Sequence, residues 1–210
     1  MVSVVKSKSP YLQKGEPAWD IARLFPAQGF WDEGDYLSLD TNHLVEFTDG
    51  FIEVLAVPKP AHQRIVLYLC DVRRGLVRPQ KRAEVLTAPM PIRLRSGKFR
   101  EPDVMLMFAE HSDRKDKDFW DGADLVMEIV SPDAESHERD HTKKRADYAE
   151  AGIPEYWIVD PAQLKITVLT LHRGEYVAHG EFGSGQVASS ALLQGFTVST
   201  DAVFQSAAGD

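Results

Sequence analysis

Residues 124–161, DLVMEIVSPDAESHERDHTKKRADYAEAGIPEYWIVDP, constrain the fold more than any other stretch of the chain. Two short apolar runs, 125–130 and 156–159, flank a strongly charged segment with helical spacing. A buried strand, a helix and a second buried strand make a strand–helix–strand unit. Its strands are expected to run parallel, with a right-handed crossover. Ser136 is the expected N-cap, Glu138 and Asp140 populate the first turn, and Gly152 with Pro154 ends the helix. One residue does not fit a core strand. Glu128 interrupts the first run, and a charge flanked by five apolar residues costs free energy unless something compensates it.

With 210 residues, 43% hydrophobic and 27% charged, the chain has the make-up of a globular domain with a sizeable core. We expect an N-terminal arm over 1–26, one domain over 27–205 and a tail over 206–210. No run approaches the roughly 18 apolar residues of a membrane span. The N-terminus is basic but lacks the apolar core of a signal peptide. A single cysteine, Cys70, excludes an internal disulfide and sits in an apolar helical context, as a small core residue does. A cytoplasmic protein with no membrane partner is therefore expected. The net charge of −8 speaks against coating nucleic acid electrostatically. It leaves room for a nuclease, because acidic residues gathered around a cation add negative charge while local basic patches dock the backbone.

Upstream, 31–37 reads as a short helix with Trp31 and Tyr36 or Leu37 packing inward. In 44–55, Asp49-Gly50 between apolar-rich runs signals a hairpin, because both turn positions tolerate positive φ. A helix follows over 61–76, with Ile65, Leu69 and Val72 on one face and Val66 and Cys70 beside them. The basic cluster Arg73, Arg74, Arg78, Lys81 and Arg82 reads as a solvated helix end or as a phosphate-contacting patch. Residues 84–94 look β-like, with Pro89 and Pro91 marking an edge or a bend. Ser96-Gly97 makes a turn, and 104–108 forms a strand with Asp103 at its entrance. Beyond the central unit, 164–171 and 175–178 form a peripheral hairpin about Arg173-Gly174, and the C-terminal stretch supplies a last packing segment.

Asp103 and Glu128 stand at opposite ends of their strands. If the strands are antiparallel neighbours, both carboxylates meet at one end of an apolar sheet. Two like charges about 4 Å apart repel by roughly 4 kcal/mol at an effective dielectric near 20. Such a pair either shares a proton or holds a cation, and oxygen ligands favour Mg²⁺ or Mn²⁺ over zinc. On the helix, Asp140, Lys144 and Tyr148 share one face that could lean over the Glu128 end. Taken singly, Asp103 reads equally as a strand-start residue. Asp140 and Lys144 read as a surface pair worth about 0.3 kcal/mol.

The order EPDVMLMF, DLVMEIVSPD, Asp-x-x-x-Lys-x-x-x-Tyr and GIPEYWIVDP, with VEFTDGFIEVL and PAHQRIV upstream and LLQGFTV downstream, resembles the Uma-type family of restriction endonucleases. That family is a branch of the PD-(D/E)xK nuclease superfamily, and the similarity runs over about 27–205. It implies an α/β (α+β) restriction-endonuclease-like core, a mixed β-sheet flanked by helices with added N-terminal and C-terminal hairpins. It also implies a Mg²⁺- or Mn²⁺-dependent endonuclease acting on nucleic acid, DNA in the first place. Asp103 matches the PD aspartate and Glu128 the following acid, with the Ile129 carbonyl as a further metal ligand. The superfamily lysine usually stands two residues after that acid, where this chain has Val130. The resemblance therefore puts the role on Lys144. Glu46 matches a further acidic position, His62 and Gln63 a helix entrance and Tyr148 a helix aromatic; Asp140 is a supporting candidate. A homodimer is expected, since cutting two strands suits two sites. The competing expectation is a non-catalytic nucleic-acid-binding or regulatory protein that keeps the fold.

Overall fold

Among the described residues two larger β-sheets accompany a two-stranded one, and the candidate site draws on both larger sheets and on two helical segments. The computed structural model describes residues 25–41, 43–77, 83–116, 118–131 and 138–208, with main chain only for 73–77. The expected arm lies outside the described residues except for its last two, and Phe25 stacks on Trp31. Helix α1 (Glu33–Leu37) opens with a reciprocal capping box between Asp32 and Asp35, and Trp31 and Tyr36 are buried as expected. Strands β1 (Val45–Thr48) and β2 (Phe51–Val54) pair antiparallel across Asp49-Gly50. Both turn residues have positive φ, 47° and 91°, as a two-residue hairpin turn requires. Helix α2 (Pro60–Val77) buries Ile65, Val66, Leu69 and Cys70. The side chains of its basic cluster lie outside the described residues.

The β-like stretch at 84–94 is two strands, β3 (Ala83–Thr87) and β4 (Ile92–Arg95), which belong to different sheets. The prolines between them are the point where the chain crosses over. Strands β5 (Lys98–Arg100) and β6 (Val104–Phe108), a 3₁₀ turn (Ala109–Arg114), β7 (Trp120–Asp121) and β8 (Leu125–Ile129) follow. A π-helical turn (Arg139–Lys143) then runs into α3 (Lys144–Glu150). The expected cap Ser136 lies outside the described residues. The stop is as read from the sequence. Gly152 takes φ 74°, and the N–H groups of Gly152 and Ile153 return to the carbonyls of Ala149 and Tyr148, a Schellman ending.

Strands β9 (Glu155–Asp160), β10 (Lys165–His172) and β11 (Glu175–Phe182) complete a six-stranded sheet in the order β11-β10-β9-β8-β6-β3. The hairpin expected at the periphery is an integral part of this sheet, because β10 pairs with β9 over six residues. Strands β8 and β9 are parallel, as the strand–helix–strand reading requires, and the other neighbours are antiparallel. The second sheet runs β2-β1-β5-β4-β7. Strands β12 (Val187–Ser189) and β13 (Thr197–Ser199) and helix α4 (Thr200–Gln205) form the last packing segment.

Strand alternation separates the two faces of the six-stranded sheet. Val104, Leu106, Leu125, Met127, Ile129, Trp157 and Val159 join a core with α2 and the C-terminal segment. Met105, Met107, Val126, Val130, Tyr156 and Ile158 face the other core, which contains Tyr148 and Ile153. By the same alternation Asp103 and Glu128 belong to this second face, on the side of α3. Among the described residues no helix is long and apolar enough to cross a membrane.

Candidate active site

Strands β6 and β8 are antiparallel neighbours with Val104 opposite Met127, so Asp103 and Glu128 meet at one sheet end. Asp103 Oδ2 accepts the Ile129 N–H at 2.8 Å and lies 3.1 Å from His62 Nε2, so strand and helix both hold it. Glu128 is 3% exposed, and its Oε1 accepts from Tyr148 Oη at 2.5 Å and from Lys144 Nζ at 2.9 Å. Among the described residues no group donates to its Oε2.

Lys144 stands where the π turn passes into α3, its N–H bonded to the Arg139 carbonyl five residues back. Single π turns inside helices recur at functional sites. Here the turn brings Asp140, Lys144 and Tyr148 inward together, and all three are buried. Besides Glu128, Lys144 Nζ lies 3.3 Å from Glu46 Oε1 and 3.8 Å from Asp140 Oδ1. Glu46 comes from β1 in the other sheet and is 3% exposed. Its second oxygen is 3.4 Å from Arg100 Nε, and Arg100 in turn grips Asp147 at 2.7 Å. Glu46 Oε1 is buried without hydrogen-bond geometry to any group, despite its proximity to Lys144.

Were all of them ionised, five carboxylates, Glu46, Glu101, Asp103, Glu128 and Asp140, would face three cations, Arg100, Arg139 and Lys144, an excess of two negative charges that protons on Glu101 and Glu128 relieve. The adjoining Lys98–Asp147 pair leaves that excess unchanged. Burial drives the Glu128 carboxyl well above the usual range and outweighs Lys144; the nearby charges of Asp103 and Asp140 add to it. Burial likewise pushes Glu101 up to about 8. Burial opposes the charge on Lys144, but Glu128, Glu46 and Asp140 prevail and keep its pKa above normal, so the amine stays protonated.

Glu101, Asp103, Glu128, Arg139, Asp140 and Lys144 line a cavity of about 30 Å³, closed on other sides by His62 and Ile129. That is space for about one water molecule or an ion. Among the described residues no three acidic or imidazole groups form a ready-made metal cage. The donor set nevertheless suits Mg²⁺, which is held by one or two carboxylates and keeps several waters. A divalent cation in place of the protons on Glu101 and Glu128 would leave the same cluster balanced.

Of the residues singled out from the sequence, Glu46, His62, Asp103, Glu128, Ile129, Asp140, Lys144 and Tyr148 converge. Gln63 does not. It is exposed on α2 and does not line the cavity. Three contributors went unread. Arg139 and Glu101 line the cavity beside predicted residues, and their closeness in sequence to Asp140 and Asp103 was a usable signal. Arg100 reaches Glu46 only because β5 pairs with β1, which no local pattern reports.

The chain therefore has a mixed sheet with two carboxylates at one end and a helix-borne lysine over them. Among solved structures it matches the crystal structure of a "putative nuclease belonging to DUF820" from Anabaena variabilis, with a TM-score of 0.67 and 19% identity. The match covers 83% of this chain and 97% of that one. Residues 33–201 match the Uma2 family, described as "Putative restriction endonuclease", and the chain belongs to that family. No curated protein matches it.

Proposed function

We propose that the chain is a divalent-cation-dependent endonuclease that hydrolyses phosphodiester bonds of nucleic acid, with DNA as the substrate. The observation that carries this reading is Asp103 beside Glu128, with Lys144 Nζ 2.9 Å from Glu128, in a buried cluster whose acids outnumber its cations. Asp103 and Glu128, with the Ile129 carbonyl, would hold Mg²⁺ or Mn²⁺. Such an ion supplies charge stabilisation at the phosphate and a more acidic water.

The chain's own residues do the rest. Tyr148 and Lys144 both engage Glu128 Oε1, which fixes the carboxylate and leaves Oε2 for the cation. His62 and the Ile129 N–H hold Asp103 in place. Lys144, kept protonated, orients the attacking water and stabilises charge on the phosphate rather than removing a proton. Glu46 and Asp140 hold Lys144 from its other sides. Arg139, less buried than Lys144, offers a second cation to the incoming backbone. Cutting both strands of a duplex takes two such sites, which a homodimer supplies.

Plasmid nicking in Mg²⁺ or Mn²⁺ tests the assignment. Wild type should cut, and Glu128→Ala and Lys144→Ala should each cut at most about a thousandth as fast. Cutting that survives both substitutions would contradict it.

A further inference from the structure

The catalytic cavity has room for about one water or ion, so the nucleoside next to the reacting phosphate must lie outside it. A second cavity of about 280 Å³ adjoins it directly. His62, Ile129 and Ser131 line both. Among the described residues the second cavity is otherwise walled by Ala61, Ile65, Val130, Pro161, Ala162 and Ala207, and its one charged neighbour is Lys59. Such a wall suits a flat, weakly polar body flanked by an anion: apolar surface for the faces, a lysine for the phosphate. Another cavity, of about 240 Å³, meets the catalytic one at Glu101. Among the described residues its lining offers Glu101, Asp118 and His43 but no lysine or arginine for a phosphate.

Resting on the nuclease reading above, we infer that the His62–Ile129–Pro161 cavity receives one unstacked nucleobase beside the phosphate being cut. Its occupant is the base of a single strand, or of a nucleotide turned out of a duplex. A base inside a duplex stack cannot enter it, because both its faces are already covered. The site therefore prefers single-stranded nucleic acid, or duplex at steps that open easily. Packing against a base is sequence-tolerant, since every base has an apolar face.

Fluorescence of aminopurine placed in a short oligodeoxynucleotide reads the proposal. The full chain is titrated in Ca²⁺ with the oligonucleotide alone and with its complementary duplex. Ala162→Leu and Ala61→Leu, both at exposed rim positions, fill the mouth without touching the core or adding an aromatic ring. Wild type should bind the single strand about tenfold more tightly than the duplex, and each substitution should erase that margin while leaving duplex affinity unchanged. Wild type that binds the single strand no better, or two variants that bind it as wild type does, would overturn the proposal. Cleavage is measured separately. A single-strand preference without Glu128-dependent cutting would refute the nuclease reading alone, and Glu128-dependent cutting without the preference would refute the cavity alone.

Discussion

Glu128 and Glu155 lie on adjacent parallel strands, both buried, both followed by apolar residues, and they do opposite things. Glu155 is saturated. Trp157 Nε1 and Ser190 Oγ donate to it at 2.6 Å, and the N–H groups of Ala191 and Leu192 at 2.8 Å. It pins the C-terminal segment to the sheet. Glu128 has Tyr148 Oη and Lys144 Nζ crowded on one oxygen, and burial with the nearby charges of Asp103 and Asp140 raises its pKa despite Lys144. Burial of a charge is therefore no mark of function. On the proposed reading, an oxygen left without a donor is what sets Glu128 apart.

The comparison can be broken by substitution. Glu128→Ala should lower cleavage about a thousandfold, near 4 kcal/mol, yet cost only about 1–2 kcal/mol of stability, because Tyr148 Oη loses its acceptor while Lys144 keeps Glu46 and Asp140. Glu155→Ala should do the reverse. It leaves the buried Trp157 Nε1 and three part-buried donors without their acceptor and should destabilise the fold by about 3 kcal/mol, read from urea midpoints. A Glu155→Ala variant as stable as wild type would remove the contrast.

A weaker effect concerns pH. Glu101 and Glu128 have folded-state pKa values raised above the ordinary 4.5, with Glu101 at about 8. The folded state then holds protons that the unfolded chain has released, so stability is full below about pH 4.5 and declines as pH rises through about 8. In chelator the loss should be about 2 kcal/mol after allowance for solvent screening, and Glu101→Gln should flatten much of it. Smaller still, Tyr148→Phe removes one hydrogen bond to Glu128 and should slow cleavage about fivefold, near 1 kcal/mol.

Much of this was legible in the sequence because it depends on local rules. Asp49-Gly50 dictated the hairpin, Gly152 and Pro154 the end of α3, and alternation the two faces of β6 and β8. The site was legible where one element carries several of its residues: Asp140, Lys144 and Tyr148 share a helix face, and Asp103 and Glu128 open and close adjacent strands. Less visible was whatever two sheets bring together. The Arg100 clamp on Glu46, the crossing at Pro89 and Pro91, and the pinning of Glu155 by Ser190 all arise from tertiary pairing. Gln63 was singled out on resemblance alone, and α2 turns it to solvent.

The most direct measurement of the central claim is Mn²⁺ binding, followed by the loss of free-ion paramagnetic signal on titration with protein. Wild type should bind Mn²⁺ saturably, and Glu128→Ala should weaken that binding at least about tenfold. Wild type that leaves the ion free, or a Glu128→Ala variant that binds it as tightly as wild type, would contradict the account.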